Sequence, residues 1–478
     1  MMFLKLLLAL LMMLSINLRS SEATCYNVFY KSEVEALQTI LGAWNESTPD
    51  MMTNLAGWSS SQIFPCYTNQ SWRGVICSFY PDNITHPCNY TINIVVLHLT
   101  AASINGTLPS AIGNLTRLVE LTLTDNPGLS GNIPPELGNL ENLVILNLSN
   151  NDLNGSIPAE LFRSNRSANS SAYRQSSLQQ IDLSNNRLSG NVPNLGGANW
   201  LQSVKISNNK LTGPSPPFYD PGTGYGFVNM TELNTIDLSE NELVGSPPNL
   251  TAIWRLQSVN LSSNYFNGSI IPTSIFNTSA NLTVLDLSHN NFTGLLPDLS
   301  TFSNSLTQFI KMLIDELLIL ICFRDLSNNQ FSGNLPNLGG ASWLQTVQIS
   351  NNKLTGPSPR FYDPGTGYGF VNMTELNTMN LSSNYFNGSI IPTSIFNTSA
   401  NLAVLDLSLN NFTGLLPDLS TFSNSLTQLN LSFNSFNPEP YPAWVKGFNQ
   451  LSMLSLKRNG LSGPFPYDLA SLPNLEIL

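Results

Sequence analysis

Apolar residues along this chain fall into a pattern that neither a helix nor an isolated strand produces. The segment Leu143 to Pro158 reads LVILNLSNNDLNGSIP, Leu118 to Pro134 reads LVELTLTDNPGLSGNIP, and Leu178 to Pro193 reads LQQIDLSNNRLSGNVP. The shared frame is LxxLxLxxNxLxGxIP, recurring mostly every 23 to 26 residues. Its LxL centre, Leu146 and Leu148 for example, alternates in and out as a short strand does. The Asn that follows recurs from Asn126 through Asn151, Asn186 and Asn241 to Asn459. A buried amide offers two donors and a carbonyl to backbone groups where the chain turns, so stacked Asn residues predict a ladder. The Gly of the frame tolerates a tight backbone, and the Pro of the IP step limits regular helix.

One such unit cannot bury its own leucines, and stacking buries them against neighbours in one continuous core. About fourteen units follow Ile94. The frame predicts an α/β repeat solenoid: short parallel strands on a concave face, an irregular or 3-10 convex side. Ahead of it stand Glu33-Val34-Glu35-Ala36-Leu37 through Leu41 and Trp44. Cys66 and then Trp72-Arg73-Gly74-Val75-Ile76-Cys77 follow.

These features resemble the plant-type extracellular leucine-rich-repeat family, the ectodomains of receptor-like kinases and receptor-like proteins. The LxGxIP step at Gly131 to Pro134 and Gly155 to Pro158 is its distinguishing mark; the run from Glu33 through Leu41 and Trp44 resembles the short amphipathic helix of its N-terminal cap, and the cysteine-tryptophan segment resembles the motif of that cap. The resemblance covers roughly residues 25 to 478. It implies a curved right-handed leucine-rich-repeat superhelix with a signal peptide at 1–23, a cap at 24–91 and the solenoid at 92–478. The family's cap usually shows two adjacent cysteines before the tryptophan, whereas Cys66 stands alone and Cys88 comes later. The resemblance favours a Cys66–Cys77 disulfide and leaves Cys25 with Cys88.

The N-terminus reads as a secretory signal. Lys5 lies within the apolar run Phe3 to Leu14, and Ser21-Glu22-Ala23 offers a small-x-small cleavage site. The run is short for a membrane span, which needs about 20 residues. An oxidising compartment makes disulfides the default for Cys25, Cys66, Cys77 and Cys88, but four cysteines allow three pairings and sequence does not choose among them. The secretory route makes Asn-x-Ser/Thr sites glycosylation candidates: Asn45, Asn83, Asn105, Asn229, Asn277, Asn372 and Asn411. Further sites at Asn147, Asn260, Asn380 and Asn430 would put sugars on the concave face.

Three irregularities interrupt the repeat. Arg163 to Gln175 is a polar insert. Pro214 to Phe227, PSPPFYDPGTGYGF, is a Gly-Pro-aromatic loop that lengthens its repeat by about eight residues. Its Tyr219 and Tyr225, with Tyr362 and Tyr368 in the second copy, are loop candidates for binding. Most strongly, Asp182 to Gln308 recurs almost verbatim as Asp325 to Gln428, less one repeat of 23 residues. At the seam sits IKMLIDELLILICFR, residues 310–324. Removing it joins Phe309 to Asp325 and restores the frame. Its shortness and Lys311, Asp315 and Glu316 argue against a membrane span, and a mis-joined gene model or retained intron accounts for it best. The chain stops inside a strand at Leu478, so an incomplete C-terminus is expected.

Composition narrows the function. Charged residues are only 10 % and the net charge is −11, which leaves no basic stripe for a nucleic acid. His86, His98 and His289 have no metal-ligand spacing, and no nucleophile elbow, zinc-protease or phosphate-loop motif occurs. Asn150-x-Asp152-x-Asn154-Gly155 echoes a calcium loop, but Leu161 stands where a bidentate Glu is needed. No enzyme, cofactor or metal is expected. The candidate ligand face is the concave sheet, with Asp182, Lys205, Asp237 and Asp286 on it.

The resemblance implies a peptide, protein or glycan ligand, a co-receptor, and an address at the cell wall or outer plasma membrane. A membrane link or kinase would lie beyond Leu478. Alternatives are a secreted inhibitor of cell-wall-degrading enzymes and a non-functional truncated product.

Overall fold

The structure, a computed structural model, describes residues 27–29, 31–44, 55–58, 65–66, 71–81, 90–163, 165–166, 173–174, 176–215, 230–248, 250, 253, 255–268, 282, 284–296, 323–335, 345–357, 375–389, 401–464 and 466–478. The signal segment, Cys25, Cys88, Asn45, Asn83, Asn229, Asn277, Asn372, Tyr219, Tyr225, Tyr362 and Tyr368 lie outside them.

A 16-stranded sheet runs the length of the solenoid. Its first described strands, Asn27–Phe29 and Val75–Pro81, belong to the cap. The latter pairs antiparallel with Tyr90–Thr100, and every later strand is parallel to its predecessor. Register is constant: Leu121, Leu146, Ile181, Val204, Ile236, Val259 and Leu285 occupy one inward column, each at most 2 % exposed. A coil's leucines are thus buried only by the coils on either side.

The Asn ladder forms as the frame predicts. In one coil the Asn241 amide donates to the carbonyls of Ile206 (3.0 Å), Leu238 (3.2 Å) and Ser239 (3.0 Å). Its carbonyl accepts the Leu211 N–H at 3.0 Å. Asn264 repeats the arrangement one coil on. Turn backbone groups that would otherwise be buried unpaired are satisfied this way.

On the next face the structure adds a second parallel sheet of twelve strands, built from the NxLxG steps. It closes at the frame's Gly, which takes φ +72° at Gly155, where an added Cβ would lie 2.4 Å from the Asn132 side chain. The convex edge is 3-10, as the IP step predicts. Pro109, Pro134 and Pro158 immediately precede the turns Ser110–Asn114, Pro135–Asn139 and Ala159–Phe162. Inside, Phe266, Phe292 and Phe331 stack at 6.4 and 6.0 Å between ring centroids.

The cap seals the first coil. Helix Lys31–Ala43 buries Ala36, Leu37, Ile40 and Leu41. Trp44, Trp58 and Trp72 pack at 5.3 and 4.6 Å between centroids, and Cys66 is bonded to Cys77.

At the seam the structure departs from the repeat frame. The strand expected to contain Phe309 is Phe323–Asp325, paired with Val284–Asp286 on one side and Thr346–Gln348 on the other. Backbone hydrogen bonds do not discriminate side chains, so the residues adjoining Asp325 in the chain take the ladder. Arg324 therefore holds a register position whose neighbours Leu285 and Val347 are buried core. The tail of the 310–324 insert is part of the sheet; residues 301–322 lie outside the described residues.

Candidate binding face

Each coil offers the concave face the residue between its two core positions, then the residue after the second, then a turn residue. The first of these columns brings three of the expected site residues together: Asp182 is paired in register with Lys205, and Lys205 with Asp237. Asn260, Asp286, Asp325 and Gln348 continue the row. Neighbouring strands lie about 4.8 Å apart, so these side chains form a rigidly spaced line.

The aspartates have a second task. Asp182 Oδ1 accepts from the Ser184 hydroxyl at 2.6 Å and its N–H at 3.1 Å. Asp237 with Ser239 and Asp286 with Ser288 do the same. Asn147 and Asn260 use their side-chain carbonyls identically, toward Ser149 and Ser262. This is an Asx turn, in which a short polar side chain ties down the backbone two residues on. One carboxylate oxygen of each aspartate is committed to the frame, and the other is available to a ligand.

Lys205 breaks the pattern. Its long side chain offers no acceptor, and it stands exposed between two aspartates with no ion pair among the described residues. Gln348 is its counterpart in the later copy. Toward the middle the row turns acidic. Burial pushes the Asp325 carboxyl above the ordinary carboxylate range; Ser327 opposes the shift, Asp286 adds to it, and His289 counters it.

The turn column carries a signal that reading single motifs missed. Its residues take left-handed backbone angles: Asp125, Asn150, Asn185, Asn208, Glu240 and Ser263. Near the C-terminal end, bulky Leu409 (φ 55°) and Phe433 (φ 56°) take the same conformation, which disfavours such side chains. Leu409 is 50 % exposed. The Phe433 ring centroid lies 5.8 Å from Lys457 Nζ and 5.2 Å from the Arg458 guanidinium carbon. Aligning the repeats by turn position would have revealed this change from polar to apolar and cationic.

Of the remaining sequence candidates, Asn105 and Asn411 are exposed at the starts of second-sheet strands. Among the described residues no group of His, Cys, Asp and Glu is arranged to hold a metal, and no helix is long and apolar enough to cross a membrane.

Comparison with known proteins adds to this geometry. Residues 31–78 match the Leucine rich repeat N-terminal domain, and residues 142–164, 177–197 and 281–302 match the Leucine Rich Repeat. The chain is 28 % identical over 269 residues to Receptor-like protein 54 of Arabidopsis thaliana, a match covering 51 % of this chain and 27 % of that protein. It is 31 % identical over 258 residues to Receptor-like protein 18 of the same plant, covering 53 % and 24 % respectively. These matches therefore span about a quarter of each relative's length. Among solved structures, a TDR receptor superimposes with a TM-score of 0.57 at 26 % identity, over 77 % of this chain and 64 % of that one.

Proposed function

We propose that the chain, which is similar to plant receptor-like proteins over its leucine-rich repeats, is the ligand-binding ectodomain of a cell-surface receptor-like protein. The observation that carries this reading is the concave row around Lys205. A continuous parallel sheet holds an exposed cation between two aspartates and leads to the acidic step Asp286–Asp325. Alternating charge at fixed spacing gives an extended peptide a pre-organised surface that costs the protein little ordering on binding. The resemblance to receptor-like proteins supports signalling as the purpose and an extracellular address. A co-receptor as second partner belongs to the same reading.

The frame supplies clean test variants. A hydroxyl can replace the carboxylate in such a turn, so Asp237→Ser, Asp286→Ser and Asp325→Ser remove charge while keeping a short acceptor, and unlike Asn they create no Asn-Leu-Ser glycosylation sequence in the secreted chain. The secreted chain is immobilised and screened by surface plasmon resonance against secreted plant peptides and cell-wall oligosaccharides. The expected result is a peptide whose affinity falls about tenfold or more in Lys205→Glu or Asp286→Ser, the loss typical of a charged contact at an interface. The fold of these variants is checked by circular dichroism. An oligosaccharide hit, or a peptide indifferent to every substitution on the row, would sink the proposal.

A further inference from the structure

Two pairs of neighbouring coils present almost the same concave surface twice. Strands Ser258–Asn260 and Val284–Asp286 set Asn260 beside Asp286, and strands Thr378–Asn380 and Val404–Asp406 set Asn380 beside Asp406. The copied sequence is carried into geometry. The Ser262 hydroxyl donates to Asn260 at 2.7 Å, and the Ser382 hydroxyl donates to Asn380 at 2.7 Å. The Ser288 N–H donates to Asp286 Oδ1 at 3.0 Å, and the Ser408 N–H to Asp406 Oδ1 at 2.9 Å. Below them, Asn264 and Asn384 reach the carbonyls of Leu238 and Ile349, each at 2.9 Å. Gln257 is matched by Asn377 and Ser258 by Thr378, which keeps the chemistry. The turn column differs in kind, with His289 against Leu409.

Stacking itself relates the two surfaces. Every strand between them is parallel and in constant register, and four strand steps separate each residue from its counterpart. At about 4.8 Å a step, the offset is about 19 Å. The relation is a translation along the stack with no half-turn, so both surfaces face the same way. A two-fold symmetric ligand presents its equivalent parts in opposite directions and cannot seat both alike. A ligand that repeats head to tail can. An extended polypeptide advances about 3.3 Å per residue, so a repeat of about six residues brings one unit onto each pair of coils.

We infer that the concave face is bivalent and that its ligand is a peptide repeated head to tail, with a cationic side chain in each repeat set against Asp286 or Asp406. This rests on the reading of the concave face as a peptide-binding surface. Each carboxylate is braced through Oδ1, and the Asn430 amide that reaches Asp406 Oδ2 at 3.1 Å leaves its charge in place. Once the first repeat is seated, the second binds intramolecularly, so affinity rises without a new kind of contact.

The test uses the full chain secreted from a plant cell line. Random six-residue peptides displayed on phage are selected on it. Enriched peptides are synthesised as one unit, as two units head to tail, and as two units joined through their C-termini by a linker of equal reach. Isothermal titration calorimetry should count two single units per chain. The head-to-tail pair should bind once per chain and about a hundredfold more tightly, and the C-terminally joined pair should show no such gain. Asp286→Ser and Asp406→Ser should each reduce the count to one and remove the advantage, in variants whose fold is checked by circular dichroism. One single unit per chain, or equal gain from both joined forms, overturns the inference while leaving a peptide-binding face. The absence of any peptide binder overturns both. Asn260 and Asn380 also lie in Asn-Leu-Ser acceptor sequences, and a sugar found on either by mass spectrometry would cover its unit and overturn the inference.

Discussion

Glu33 makes the stability of the cap depend on pH, and in the opposite sense to most carboxylates. Its side chain is 2 % exposed and its carboxyl is raised from 4.5 to about 7. Burial is the main cause, opposed by the Ile94 N–H and by Arg117. The folded cap holds this proton until pH approaches 7, whereas an unfolded chain releases it near 4.5. Between those values the folded state binds more protons, so stability falls as pH rises. The favourable contribution is complete below 4.5 and lost above 7. A shift of this size is worth about 3 kcal/mol, at 1.36 kcal/mol for each pH unit.

Glu33→Gln keeps a carbonyl for Ile94 and has no charge to desolvate. The variant should therefore match wild type at pH 4 and exceed it by up to about 3 kcal/mol at pH 8. Hydrogen exchange of the amides in Lys31–Ala43, corrected for intrinsic pH dependence, measures the local opening energy where a global melt of a repeat protein does not. Parallel pH profiles for the two proteins would refute the reasoning, because they would mean that Glu33 ionises no differently in the folded cap.

Three other predictions follow from the frame. Asn241→Ala strands one N–H and removes the donor to three carbonyls, and should lower stability by about 3 kcal/mol; an unshifted urea midpoint would show that the ladder is ornamental. Excising residues 310–324 places Phe309 in register between buried Leu285 and Val347 in place of Arg324. Calorimetry should find a higher melting temperature, since a Phe side chain buried at a core register position contributes about 1.5–3 kcal/mol. Leu409→Asn installs the residue used at Asn150 and Asn185 in the same left-handed conformation. It should stabilise by about 1 kcal/mol, read by chemical denaturation, with no gain counting against backbone strain at that turn.

Much of this architecture could be read from residues alone, because each part of the frame acts within its own coil or on the next. The Asn from 126 to 459 announced the ladder and the IP step announced the 3-10 edge, while the cap helix came through the family resemblance of the run from Glu33 to Leu41. The second sheet was not legible. Its strands are mostly three to five residues of mixed polarity, such as Asn151–Gly155 and Arg187–Asn191, and they pair only once stacking has aligned the coils. Nor was the seam legible. Periodicity favours Phe309 on side-chain grounds, while the ladder takes whatever residues adjoin Asp325.

The roles of the aspartates fall between these cases and bear on where specificity can reside. Asp-Leu-Ser and Asn-Leu-Ser triplets recur in plain view, and a carboxylate on an open sheet reads naturally as a ligand contact. In the structure the same oxygen braces the following turn, and Asn serves equally well in that position. The frame therefore constrains these positions to a short side chain with an acceptor, leaving only charge free to vary. Lys205 and Gln348 are released from that constraint and occupy the corresponding coil of each copy. If the two copies bind different parts of one ligand, this pair should distinguish them. Exchanging Lys205→Gln and Gln348→Lys conserves net charge and composition yet moves the cation between copies. Affinity for a ligand held by the first copy should then drop, while that of a ligand held by the second should rise.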